Sequence, residues 1–320
     1  MSISVFDPLT PAWNQMVRIL FKPFHFKKWL ALGFCAFLAQ CGEQGGNGSN
    51  FWNNQNSSGD FEKTTNWIET NFDVFILYVG IGLTALLIVA LFIIWISSRG
   101  KFMLLDGIVK NRGAIKEPWV EFKTLANSLF FLVIGLQLLA LLCFGLIVGI
   151  GALIAMPDFQ NEAFSGYGIT AIVVTAVLLI CYIVVCIAIT FFMEVFLVPT
   201  MYLKRVRSIE GWKIAWAEFY SKHKWSSVLF FFMWVLLSIA AGTAAIFVIC
   251  ATCCVAALPY VSSVVLLPIT VFFVCYALMY IQQFGDGWIF FQGQCPKCTY
   301  DLHGLDNGQI CPECGHSLES

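Results

Sequence analysis

VFILYVGIGLTALLIVALFIIWIS, Val74 to Ser97, contains neither a charged residue nor a proline. An α-helix of about 20 residues crosses a ~30 Å hydrocarbon core, because each residue adds about 1.5 Å. In a bilayer such a helix satisfies its backbone internally and leaves apolar side chains in an apolar solvent. The stretch therefore predicts a transmembrane helix. Asn127 to Met156, Gly168 to Val198, Ser226 to Ala257 and Val261 to Ile281 repeat the pattern with at most one charged residue each. The last two are joined at Leu258-Pro259-Tyr260. Runs longer than one crossing requires are absorbed by tilt.

Composition agrees. The 320 residues are 59% hydrophobic and 12% charged, with mean hydropathy +0.80. A soluble domain is nearer about 25% charged and less than half apolar. A soluble enzyme or binding domain is excluded for most of the chain. The net charge of −1 excludes a broadly basic nucleic-acid binder.

One run is short: Trp29 to Cys41, WLALGFCAFLAQC. It crosses only by borrowing Phe24 and Phe26 while Lys27 and Lys28 snorkel; otherwise it dips in and returns. Basic residues collect on the cytoplasmic side, so charge chooses. If the run crosses, the clusters Arg18–Lys28, Arg99–Lys123 and Lys204–Lys224 share that side, and of 18 basic residues Lys63 alone lies outside. If it does not, the two most basic loops are separated from the N-terminal cluster. The reading is an all-α polytopic membrane protein of the plasma (inner) membrane, with six transmembrane helices as three hairpins and both termini cytoplasmic. Its parts are a cytoplasmic amphipathic segment 1–28 and a transmembrane domain 29–282. The latter has an outer loop 42–73 and inner amphipathic segments 99–125 and 202–225. A linker 283–294 leads to a cysteine-spaced module 295–320.

A basic, aromatic-rich stretch precedes each hairpin: PAWNQMVRILFKPFHFKKW, GIVKNRGAIKEPWVEFKTLAN and LKRVRSIEGWKIAWAEFYSKHKW. Trp13, Trp119 and Trp212 recur in them. Lys and Arg beside Trp and Phe suit helices lying in the headgroup layer.

The tail carries Cys295-Pro-Lys-Cys298, twelve intervening residues, then Cys311-Pro-Glu-Cys314-Gly-His. Two such pairs bring four thiolates around one tetrahedral ion, a geometry zinc accepts readily, with iron as the alternative metal and unmetallated or redox thiols as the bland one. So short a segment has too little core to fold alone, so metal binding would supply most of its folding free energy. CPKCTYDLHGLDNGQICPECGHSL resembles a zinc ribbon of the rubredoxin-like type. The resemblance implies zinc as cofactor and Cys295, Cys298, Cys311 and Cys314 as its ligands. From Cys295 onward only Lys297 is basic, against Asp301, Asp306, Glu313 and Glu319, so phosphate would be repelled. The expected partners are the lipid bilayer and, through the ribbon, a cytoplasmic protein. Nucleic acid is disfavoured. The other nine cysteines, Cys250-Ala-Thr-Cys253 included, sit in apolar runs and read as packing residues.

Glu194 is the acidic residue within a long apolar run, and an intramembrane carboxylate is a functional candidate. Overlaying KNR at 110–112 on RVR at 205–207 places Arg99 opposite it. The plainer reading is that Glu194 reaches the inner headgroups. Gln137 lies deeper and can bond another helix. Gly80, Gly82, Gly149 and Gly151 read as helix-packing glycines. Metalloprotease, Walker, nucleophile-elbow and Rossmann motifs are absent from the sequence.

RILFKPFHFKKWLALGFCAFLAQ, SSRGKFMLLDGIVKNRGAIKEP and the hairpin repeat together resemble a group of uncharacterised prokaryotic six-helix membrane proteins. That group includes the membrane domain fused to some glycerophosphodiester phosphodiesterases. Their catalytic domain has no counterpart here. The expectation is a non-enzymatic integral membrane protein whose zinc-ribbon tail stabilises the C-terminus or docks a protein. The alternative is a transporter or channel for a small solute or lipid.

Overall fold

The computed structural model describes residues 3–44, 72–160, 166–252, 259–291, 293, 295, 310–312 and 315. Most of the expected outer loop 42–73, the Leu258 turn, and Cys298 and Cys314 lie outside these. The described architecture is helical throughout its regular elements. The helices are α1 (Leu9–Phe21), α2 (Phe26–Gln44), α3 (Phe72–Val109), α4 (Lys116–Glu121), α5 (Lys123–Gln160) and α6 (Gly166–Phe192). After a π-helical turn at Met193–Leu197 come α7 (Val198–Lys204) and α8 (Ser208–Ala215), a second π turn at Trp216–Ser221, and α9 (Lys224–Ala251). The series ends with α10 (Pro259–Val265) and α11 (Leu267–Gln282).

Four stretches are long and apolar enough to cross a membrane: Phe72–Val109, Lys123–Asp158, Gly168–Lys204 and Lys224–Ala251. The protein is built to be membrane-embedded. The short run becomes α2, 19 residues or about 28 Å of helix. Val261 to Ile281 is not one helix. Pro268 stands in the first turn of α11, where its missing N–H and fixed φ start a new helix and end α10.

Short helices α1, α4 and α8 precede the antiparallel pairs α2–α3, α5–α6 and α9–α11. In the first pair the backbones nearly touch. A Cβ on Gly100 would lie 2.5 Å from Ala39 N, and one on Gly107 2.6 Å from Leu32 Cδ2. The Ser97 hydroxyl donates to Ala39 O at 2.7 Å. Small residues permit this approach, as is common between helices in membranes. The glycines expected to do so mostly do not. Gly80, Gly82 and Gly149 have nothing within 4 Å of an added Cβ, and only Gly151 packs, against Thr175.

The base-ward ends of α3, α5, α7, α9 and α11 meet the short helices at one end of the bundle, hereafter the base. Its core holds Phe102, Ile108, Phe122, Met201, Phe219, Phe230, Tyr276 and Tyr280, all at most 2% exposed. Phe196 of the first π turn stacks on Phe219 of the second at 5.1 Å, and Phe230 stacks on Tyr280 at 3.9 Å. The N-terminal segment is fastened there as well. Ser4 N–H donates to Gln283 Oε1 at 2.9 Å, Gln283 Nε2 donates to Ser4 O at 2.8 Å, and Tyr276 Oη donates to Val5 O at 2.9 Å.

Candidate functional site

The base contains a fully buried carboxylate. Asp106, 0% exposed, lies one turn before the end of α3. Its Oδ1 accepts from Tyr202 Oη at 3.1 Å and Lys110 Nζ at 2.7 Å. Its Oδ2 accepts from Arg112 Nη2 at 3.0 Å and Nε at 3.2 Å. The contact with Asp106 is the first cause of the upward shift of the Arg112 pKa; the pair with Glu117 adds to it. Glu121 continues the network to Arg205 Nη2 at 2.7 Å. Arg205 lies over the Phe122 ring at 4.4 Å and has a left-handed backbone with φ of 56°. The network joins α3, α4 and α7. A buried charge persists only when paired and hydrogen-bonded, and Asp106 meets both conditions. Composition alone does not single out Asp106, because it lies in the expected inner amphipathic segment 99–125. The signal was Asp-Gly-Ile-Val-Lys-Asn-Arg directly after an apolar run, with Lys110 one helical turn on.

Glu194 does not pair with Arg99. Its Oε1 accepts from Lys101 Nζ at 3.0 Å. Two residues along a helix turn the side chain by about 200°, so Arg99 and Lys101 face opposite ways. The sequence overlay placed the wrong cation because it matched loops and not helix faces. Arg99 instead lies between Trp95 and Trp119, its guanidinium 4.4 and 4.7 Å from the ring centroids. Glu194 is in the π turn Met193–Leu197, where Val198 N–H reaches back five residues to Met193 O. Pro199 explains the slip: it has no N–H for the carbonyl of residue 195, so the regular ladder fails there. Such turns are frequent at functional sites.

Two cavities flank the pair. The larger, of about 640 Å³, lies between α3, α5 and α6; the smaller, of about 330 Å³, lies among α2, α3, α9, α11 and the π turn. Lys101 lines both, whereas Glu194 lines the smaller alone. Gln137 is on the wall of the larger. In the smaller, Gln40 Nε2 donates to Thr270 Oγ1 at 3.1 Å.

The expected metal centre is described only in part. Cys295 and Cys311 are each 1% exposed. Gly315, with φ of 67°, donates its N–H to Cys311 O at 2.9 Å. That turn sits where the second cysteine pair needs a tight reversal, and a positive φ favours glycine. Cys298 and Cys314 lie outside the described residues, and among the described residues no group of three or more potential ligands gathers. Within the expected linker 283–294, the described aromatic residues pack on the base. Trp288, Phe290 and Phe291 are buried, with Trp288 against Phe219 at 4.6 Å and Lys204 Nζ donating to Gly287 O at 3.0 Å. The physical reason is aromatic content, which the polar composition around it concealed.

Residues 3–285 match a family described as a family of unknown function, DUF7544. The chain belongs to this family. The match takes in every described α-helix, the Asp106 network and both cavities, and stops before Trp288 and the cysteine-spaced tail. No curated protein and no solved structure matches the chain. For this DUF7544 member, the reading of function therefore rests on its own geometry.

Proposed function

We propose that the protein is a non-enzymatic integral membrane protein of six crossings, with α2 and the α10–α11 segment completing the four long helices. Its base faces the cytoplasm and carries a metal-bound tail that docks a partner protein. The likeness to the membrane domain fused to some glycerophosphodiester phosphodiesterases belongs to the same reading.

The observation that carries the proposal is how the tail is attached. Trp288, Phe290 and Phe291 are buried in the base core, and Cys295 and Cys311 are buried a few residues beyond or further along. Two buried thiols and the Gly315 turn fit the donor set of a Cys₄ site. Cys295, Cys298, Cys311 and Cys314 would hold zinc. The ion would supply a tetrahedral cross-link that closes the tail without taking part in a reaction.

Metal analysis of detergent-purified protein tests this. One zinc per chain is expected, lost in Cys311→Ser/Cys314→Ser while the helical circular dichroism persists. Wild-type protein without bound metal overturns the ribbon, and one iron per chain reassigns the ion. Pull-down with the full wild-type chain should recover a cytoplasmic partner that the double variant, its ribbon broken, does not recover.

A second reading is favoured by one observation, the Lys101–Glu194 pair bordering two cavities. Buried or intramembrane ionisable pairs mark solute paths in transporters. On this reading Glu194→Gln loses flux of a fluorescent lipid analogue in proteoliposomes with zinc content unchanged. Equal flux in wild type, variant and empty liposomes overturns it.

A further inference from the structure

The larger cavity is elongated along the helices. On α5 its lining runs from Leu129 to Cys143, about 21 Å at 1.5 Å per residue. On α6 it runs from Tyr182 through Thr190, continuing to Met193. Between these limits the walls are mainly aliphatic, with Val133, Leu136, Val185 and Ile189 among them. Its volume of about 640 Å³ is within the common range of about 300–1,000 Å³ for small-molecule sites.

The charge at its base-ward end is one-sided. Lys101 lines this cavity and Glu194 does not. No Asp or Glu is among its lining residues. The cavity meets the cationic half of the pair, while the carboxylate half faces the smaller cavity. An ammonium has three N–H donors, so an anionic head can share it with Glu194. A long apolar slot that ends on a cation is complementary to an acyl chain ending in an acid.

We propose that this cavity binds a single-chain amphiphile with an anionic head. Its chain lies in the space bounded by α3 on one side and the α5–α6 pair on the other, and its carboxylate or phosphate rests on Lys101. The proposal rests on the cavities of the second reading above, and not on transport.

The test uses the full chain in phosphatidylcholine nanodiscs with a diazirine-bearing fatty acid as photo-crosslinking probe. Label is expected on α5 and α6 peptides that contain Val133, Leu136 and Ile189. Oleate and lysophosphatidic acid compete, and their relative strength tells a carboxylate head from a phosphate head. Oleyl alcohol should compete at least tenfold more weakly. Ala140→Trp, which fills the slot, should abolish labelling. Lys101→Gln/Glu194→Gln removes both charges of the pair and should reduce it about tenfold, whereas Glu194→Gln alone should retain it.

Label confined to outward positions such as Leu86 and Leu153 would overturn the site. Equal competition by oleyl alcohol and oleate, or full labelling of the double variant, would overturn the role of Lys101 and with it the anionic head. Labelling that survives where flux is absent sinks transport and leaves this site standing. Flux without labelling sinks this site alone.

Discussion

Along α3, Leu83, Leu86, Leu87 and Ile88 stand mostly exposed, whereas Phe102, Met103, Leu105 and Ile108, about five turns on, are buried. The other long helices divide similarly. In the most apolar 18-residue stretch of each, at most 6% of the residues are buried. Hydrophobicity thus runs opposite to burial: the most apolar residues are the least covered by protein. Lipid tails are as apolar as leucine, so they give helices no hydrophobic reason to close on one another. In the base, beyond the most apolar stretches, apolar side chains are buried by protein and the buried Asp106 has partners. Burial by protein is concentrated in the base, where the Asp106 network ties α3, α4 and α7 together.

The largest effect should come from breaking the base. Asp106→Ala removes the acceptor of Tyr202 and leaves Lys110 only Glu121 and Arg112 only Glu117 as ion-pair partners among the described residues. Loss of one partner in a buried pair costs about 3–5 kcal/mol. The lower end applies, because both cations keep about a third of their side-chain surface in water. Thermal unfolding in detergent measures it; a loss below about 1 kcal/mol would mean that Asp106 is not what secures the base.

Phenylalanine truncation compares the two regions on one helix. Phe230→Ala opens a hole beneath Tyr276 and Tyr280 and should cost about 3 kcal/mol. Phe232→Ala, at a site 63% exposed, should cost under about 0.5 kcal/mol in the same assay. Equal losses would mean that the exposed faces are covered by protein in the membrane.

Glycine substitution sharpens the contrast at smaller scale. Gly100→Ala drives a Cβ into the Leu38–Ala39 backbone, forcing α2 off α3 at about 1–3 kcal/mol. Gly80→Ala meets nothing within 4 Å and should stabilise the helix by up to about 1 kcal/mol. Cysteine cross-linking between α2 and α3 reports the first, and the unfolding midpoint reports the second.

Sequence reading placed the long helices well because hydropathy needs no tertiary information: bilayer thickness sets the length, and absence of charge sets the limits. It read the base less well. Lys101 and Arg99 are indistinguishable by composition, and only helix phase decides which meets Glu194. The glycines and polar residues of 283–294 suggest a linker, yet Trp288, Phe290 and Phe291 are buried in the core. Gly100 and Gly107 lie outside the central apolar run that drew attention to Gly80 and Gly82, although a seven-residue spacing puts them on one helix face.

By itself the sequence determined the solvent of this protein: continuous apolar runs of about 20 residues without charge become helices in lipid, because a helix satisfies its whole backbone within one segment. It also determined the spacing of four cysteines in a polar tail. The tertiary structure decided which groups are buried together. Asp106 is an ordinary aspartate until α3, α4 and α7 converge around it. Glu194 is an isolated carboxylate until a proline-induced π turn brings it to Lys101. Such pairings depend on helix phase and on angles between elements far apart in the chain, which local composition does not encode.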